Sequence, residues 1–178
     1  MLFAAIVLMI VDAKVPCLEN QTMEQAIIDE YLRQASVFPA AIKGLSAAEL
    51  NAHPIPHTWS IRQIVLHVMD SDLIASDRMK RIIAEDNPTL IGFDESAFAS
   101  KLFYDHLDAV MAADVFAKNR LLTGDILYRL PVEAFARAGT HNQRGRVTLG
   151  DLVKMYVQHL DHHMKFIKHK RQLLGKPL

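Results

Sequence analysis

The sequence predicts an all-α fold, a four-helix bundle with one long connection between its second and third helices. Three observations support this. Four long stretches repeat apolar residues every three or four positions, and no stretch reads as a strand. Three of the four open on a capping-box pattern. The central connection is long enough for the helices on either side of it to run parallel, unlike a simple up-down-up-down bundle.

The first helix opens at Thr22-Met-Glu-Gln25 and carries Ile27, Ile28, Tyr31, Leu32, Ala35, Phe38, Ile42 and Leu45 at helical spacing. It is expected to end near Gly44. Residues 46–58 hold Asn51, Pro54 and Pro56 and read as a loop. Ser60-Ile-Arg-Gln63 opens the second helix, which runs to about Ala84 with Ile61, Ile64, Val68, Ile74, Met79 and Ile83 on one side. Asp86-Asn-Pro-Thr89 stops it. Residues 85–106 form the connection, with a short helix expected around Ser96–Phe103. The third helix, 107–130, carries Val110, Met111, Val115, Leu121, Leu122, Ile126 and Leu127, is weakened by Gly124, and ends at Pro131. After a polar stretch, 139–145, Thr148 caps the last helix with Asp151 at its third position. That helix reaches Leu174 and stops at Gly175 and Pro177.

At 178 residues the chain is one domain in length and buries enough surface to need no disulfides. Lys plus Arg and Asp plus Glu number 20 each, so there is no basic excess for nucleic acid. The single cysteine, Cys17, excludes a cysteine-cluster metal site. Residues 1–13 are nearly all apolar but too short for a stable membrane span, which needs about 20 residues. They also lack the basic residues of a signal peptide, whose reading would make the protein exported. The division expected is an apolar segment 1–22, which is an extra leader, a packing arm or an upstream mis-start, and a single domain over 23–178.

Nine histidines are the unusual feature. In the last helix, His159 and His163 lie four apart and fall on the row Leu152, Tyr156, His159, His163, Phe166. In the second helix, His67 follows Ile64 on the apolar side. Imidazoles facing an apolar interior need a partner. Three of them converging on one ion suit zinc, nickel or another late divalent metal, with coordination positions left open. His162, three after His159, is a rival ligand, and core histidines satisfied by hydrogen bonds are the alternative to any metal.

The stretch Trp59-Ser-Ile-Arg-Gln-Ile-Val-Leu-His67-Val-Met-Asp70-Ser71 resembles the first signature of the DinB-like superfamily, in its YfiT-type branch. Thr148-Leu-Gly-Asp-Leu152 with Tyr156-Val-Gln-His159-Leu-Asp-His162-His163 resembles the second, and Glu85–Glu95 is similar to the connection between them. The likeness spans about residues 23–174. It implies an up-down-down-up bundle holding one zinc or nickel ion per chain through His67, His159 and His163. It also implies a metal-dependent hydrolase acting on a small molecule, in a cytoplasmic homodimer.

Some relatives in that family are low-molecular-weight thiol S-transferases, so a thiol substrate is the alternative activity. A non-catalytic metal-binding bundle is the second alternative. Asp70 matches an acidic position of the motif, where it would orient a ligand or accept a proton. His141, Arg62 and Gln63 also match, with local hydrogen bonding as their simpler role, and Trp59 reads as packing. Nothing in the sequence identifies a substrate-binding residue.

Overall fold

A computed structural model describes residues 23–178. The apolar segment 1–22, its Cys17 and the expected Thr22 cap lie outside the described residues. Four long helices form the bundle: α1 (Met23–Ile42), α3 (Ile61–Ala84), α5 (Ala109–Tyr128) and α6 (Leu149–Leu173). Two short helices, α2 (Ala47–Asn51) and α4 (Glu95–Lys101), lie in the connections. Ser60 and Thr148 close full capping boxes with Gln63 and Asp151, as their sequence patterns require. The loop expected over 46–58 instead starts with α2. Ser46 and Glu49 form a further capping box there, a Ser-x-x-Glu pattern that lies just ahead of the two prolines.

Each long helix contributes to two apolar clusters, and this fixes the topology. Phe38 and Ile42, Ile61 and Ile64, Ala109 and Phe116, and Leu160 and Ile167 meet at one end. Ile28 and Tyr31, Met79 and Ile82, Leu127, and Leu149 and Leu152 meet at the other. So α1 and α6 run one way, α3 and α5 the other, in up-down-down-up order. Because α3 and α5 are parallel, residues 85–108 must travel back along the whole bundle.

That return path contributes one strand to a small sheet that the sequence did not suggest. Strand β1 (Thr89–Leu90) pairs in parallel with β2 (Ala138–His141), which pairs antiparallel with β3 (Gly145–Thr148). Strands of two to four residues are too short to show an alternating pattern.

The expected apolar face of α5 is also corrected. Val110, Met111, Leu121 and Leu122 are exposed, whereas Ala109, Ala112, Ala113, Phe116, Gly124 and Leu127 face inward. Small residues let α5 approach closely, and a Cβ on Gly124 would lie 2.3 Å from Leu32 Cδ2 on α1. On α6, Phe166 is likewise exposed, and Leu160, Met164 and Ile167 fill the core.

Between the two apolar clusters lies a buried polar clasp. Arg120 and Asp72 are each 1% exposed, and Arg120 Nε donates to Asp72 Oδ1 at 2.8 Å. Arg120 Nη2 donates to the Tyr156 carbonyl at 2.7 Å, and Nη1 donates to Gln34 Oε1. The guanidinium lies over the Tyr31 and Phe116 rings, 4.4 and 4.7 Å from their centroids. Asn119 Nδ2 donates to the other Asp72 oxygen at 2.8 Å. Gln34 Nε2 reaches the Val157 carbonyl and Asp161 Oδ1. One charge pair thus ties all four long helices together. Removing one partner of such a buried pair strands the other charge. Arg120→Met or Asp72→Leu alone should cost about 3–5 kcal/mol in urea unfolding, and the double variant Arg120→Met/Asp72→Leu should cost clearly less than the sum. Strictly additive losses would show that the pair is not coupled.

Candidate metal centre

His67 comes from the second turn of α3, and His159 and His163 come from successive turns of α6. Because α3 and α6 run antiparallel side by side, these turns lie opposite each other. His159 Nε2 is 3.2 Å from His67 Nε2 and 3.1 Å from His163 Nε2. The three ligand atoms all fall within 4.8 Å of one another. His67 is buried, while His159 and His163 are half-buried on the flank of the α6 core stripe rather than at its centre.

The donor set fits a divalent ion. Nitrogens 2.0–2.1 Å from one ion stand roughly 2.9–3.4 Å apart at octahedral to tetrahedral angles, the spacing of the two close pairs here. A neutral ring can only donate or only accept at Nε2, so His159 cannot properly satisfy both neighbours by hydrogen bonding. A shared cation satisfies all three lone pairs. Burial keeps the rings neutral, as ligation requires. It lowers His67 to about 4. His159 falls to about 3 through burial first, then the charges of His67 and Arg120. His163 falls to about 3 through burial, then the charges of His159 and His67. Ser71 Oγ lies 3.5 Å from His67 Nδ1, and the Trp59 ring packs on His67 with centroids 4.9 Å apart. Nδ1 of His163 is buried without a hydrogen-bond partner among the described residues.

A cavity of about 130 Å³ opens beside His159. Ser71 and Arg78 of α3, Tyr156 of α6, Gly92 and Phe93 of the return path and His141 of β2 line it. The crossover and the hairpin therefore wall the route to the histidines.

Other residues singled out in the sequence are placed as follows. Asp70 accepts a short hydrogen bond from the Tyr104 hydroxyl, which pins the return path to α3. His162 is exposed and packs edge-on against Phe166, with ring centroids 4.9 Å apart. His141 Nδ1 accepts the Gln143 backbone N–H at 3.2 Å. Gln63 completes the α3 cap, and Arg62 Nη1 donates to the Leu107 carbonyl. Sequence reasoning missed Arg78 and Arg144 in the cavity wall. Arg78 stands on the same α3 face as Ser71, but a helical arginine reads as a solvated residue until its burial is known.

A family model described as the DinB superfamily matches residues 30–167. Over 164 residues, 88% of this chain and 92% of the relative, the chain is 28% identical to a Bacillus cereus (strain B4264) protein named "Putative metal-dependent hydrolase". A relative of the same name from Bacillus mycoides (strain KBAB4) is 28% identical over 162 residues, 86% of this chain and 91% of its own. Among solved structures, YfiT from Bacillus subtilis is described as "a probable metal-dependent hydrolase with an unusual four-helix bundle topology". It matches with a TM-score of 0.80 and 22% identity, covering 88% of this chain and 91% of its own.

The depressed histidines make stability depend on pH. Unfolded imidazoles take up protons near pH 6.5, whereas the folded ones resist until about pH 3–4. The unfolded state therefore binds more protons across that window, and stability falls as pH drops through it. Urea unfolding of chelator-treated protein should be nearly flat above about pH 7.5 and decline steeply from about pH 6.5 to 5. His159→Gln/His163→Gln should remove about two protons from that slope. An unchanged slope would show that these rings titrate normally in the fold.

Proposed function

The chain belongs to the DinB superfamily, and from that footing we propose a hydrolase acting on a small molecule with one zinc or nickel ion per chain, held by His67, His159 and His163. The convergence of three neutral imidazole nitrogens from two helices carries this reading. The relatives that carry the name "Putative metal-dependent hydrolase" support it. A bound divalent ion would supply Lewis acidity and an activated water, with positions left open by a three-histidine set.

The chain's own residues do the rest. Trp59 shields the His67 ring, and with Nε2 turned to the ion the Nδ1–H of His67 donates a long hydrogen bond to Ser71 Oγ, which helps to orient the ring. Tyr156 and the hairpin confine a substrate to the cavity beside His159. Asp70 acts by anchoring Tyr104, which keeps the return path closed over that cavity.

No helix among the described residues is long and apolar enough to cross a membrane. We place the protein in the cytoplasm as a homodimer, and the exposed α5 residues Val110, Met111, Leu121 and Leu122 supply an apolar face for such contact.

Trp59 is the chain's only tryptophan, so it reports on the site directly. Cobalt or nickel added to chelator-treated protein should quench its fluorescence at one equivalent per chain. His67→Ala and His159→Ala should lose both quenching and metal content, while His162→Ala should keep both. Full metal retention in either of the first two variants would remove the assignment. Metal-loaded wild type should hydrolyse members of a panel of small amides and esters. Turnover only with an added small thiol and an electrophile would assign the S-transferase alternative.

A further inference from the structure

The cavity beside His159 holds a charge that the metal reading leaves unused. Arg78 is 7% exposed on α3, in the cavity wall. Its Nη1 donates to the Tyr156 hydroxyl at 3.1 Å, and its Nη2 donates to the Ile91 carbonyl. Its Nε is buried and has no acceptor among the described residues. No carboxylate pairs with Arg78 there either, in contrast to Arg120, whose charge Asp72 meets. A buried cation without a counter-ion is unfavourable, so the site gains most from an anion that enters it.

The surrounding groups point the same way. Arg144, on the β2–β3 turn, lines the cavity, and its nearest polar contact is a weak one, Nη1 to Met155 Sδ at 3.0 Å. His141 is buried and accepts at Nδ1, so its proton sits on Nε2 as a further donor. Burial first, then the charges of Arg78 and Arg144, hold His141 below its ordinary value, so it stays neutral. Glu95 is the one carboxylate in the lining, and it is exposed.

We infer that this cavity is an anion subsite, in which Arg78 with Arg144 and His141 takes the carboxylate of a small carboxylic acid substrate. One buried, uncompensated charge matches a monoanion rather than a phosphate dianion, and about 130 Å³ suits a short acid rather than a peptide. Ser71 and Arg78 are two turns apart on α3, about 10 Å along its axis. The carboxylate would therefore sit several bonds from the group presented to the histidines. For that far end, the inference rests on the metal reading; for the anion, it does not.

The test separates the two. Butyrate, and separately butyramide and inorganic phosphate, are titrated into chelator-treated full-length protein. The arginine Nε–H signals in ¹H–¹⁵N spectra report binding, with Arg78 assigned by its absence in Arg78→Lys. Butyrate should shift the Arg78 signal saturably, and butyramide should not. Binding followed by backbone amide signals of the cavity wall should weaken by about tenfold in Arg78→Lys, which keeps the charge but loses the fork, and measurably in Arg144→Gln. Circular dichroism confirms that each variant is folded. If Arg78→Lys does not fold, Arg144→Gln on the exposed turn decides.

Equal affinity for butyrate and butyramide, unchanged butyrate affinity in the folded variants, or tighter binding of phosphate would overturn the inference. Butyrate binding seen only after metal is restored would overturn it too, since the ion would then be taking the carboxylate, and would leave the metal reading standing. Butyrate binding in a protein that takes up no metal would have the opposite meaning.

Discussion

Arg120 brings a positive charge to the middle of four helices, and the bundle is arranged around what that charge needs. Asp72 neutralises it from α3, Gln34 and the Tyr156 carbonyl occupy its terminal nitrogens from α1 and α6, and two aromatic faces cover its plane. A buried arginine tolerates few alternatives to such a set, so each helix is held in one register. On α3, Asp72 lies just beyond Ser71 and little more than a turn from His67. On α6, Tyr156 lies just under a turn before His159. The contacts that satisfy Arg120 thereby set the two histidine-bearing helices opposite each other. Small residues on α5 allow this, because a longer side chain at Gly124 would push α5 away from Leu32.

The helix order has a functional consequence. Parallel α3 and α5 force a long return path, and that path crosses the open side of the α3–α6 pair. It is tied down by Tyr104 to Asp70, by Ile91 to Arg78 and by β1 to β2. Rigid helices carry the histidines, while the return path and the hairpin build the wall a substrate would meet. The spacing of the histidines and the shape of the wall can therefore vary separately within one fold.

The helices that carry the candidate site were readable because local and long-range signals agree in them. Ser60 with Gln63 and Thr148 with Asp151 mark both starts, and the i, i+4 spacing of His159 and His163 survives any uncertainty about helix ends. The α5 face was not readable, because Val110, Met111, Leu121 and Leu122 point outward while three alanines, Gly124 and Arg120 share the inner face with Phe116 and Leu127. Periodicity weighs size and apolarity, so it chose the wrong side. The three short strands hold too few residues for a pattern, and β1 pairs with β2 about fifty residues further along the chain. Arg78 and Arg120 stayed invisible for a related reason: a charged residue in a helix reads as solvated unless its partners, which are distant in sequence, are known.

In the proposed centre, three imidazoles, two from α6 and one from α3, share one divalent ion. X-ray absorption at the zinc edge of protein loaded with one equivalent reads this directly. A shared ion should give nitrogen and oxygen neighbours at about 2.0–2.1 Å, with outer-shell scattering that fits three imidazoles. A sulfur neighbour at about 2.3 Å, or scattering from fewer than three imidazoles, would contradict it.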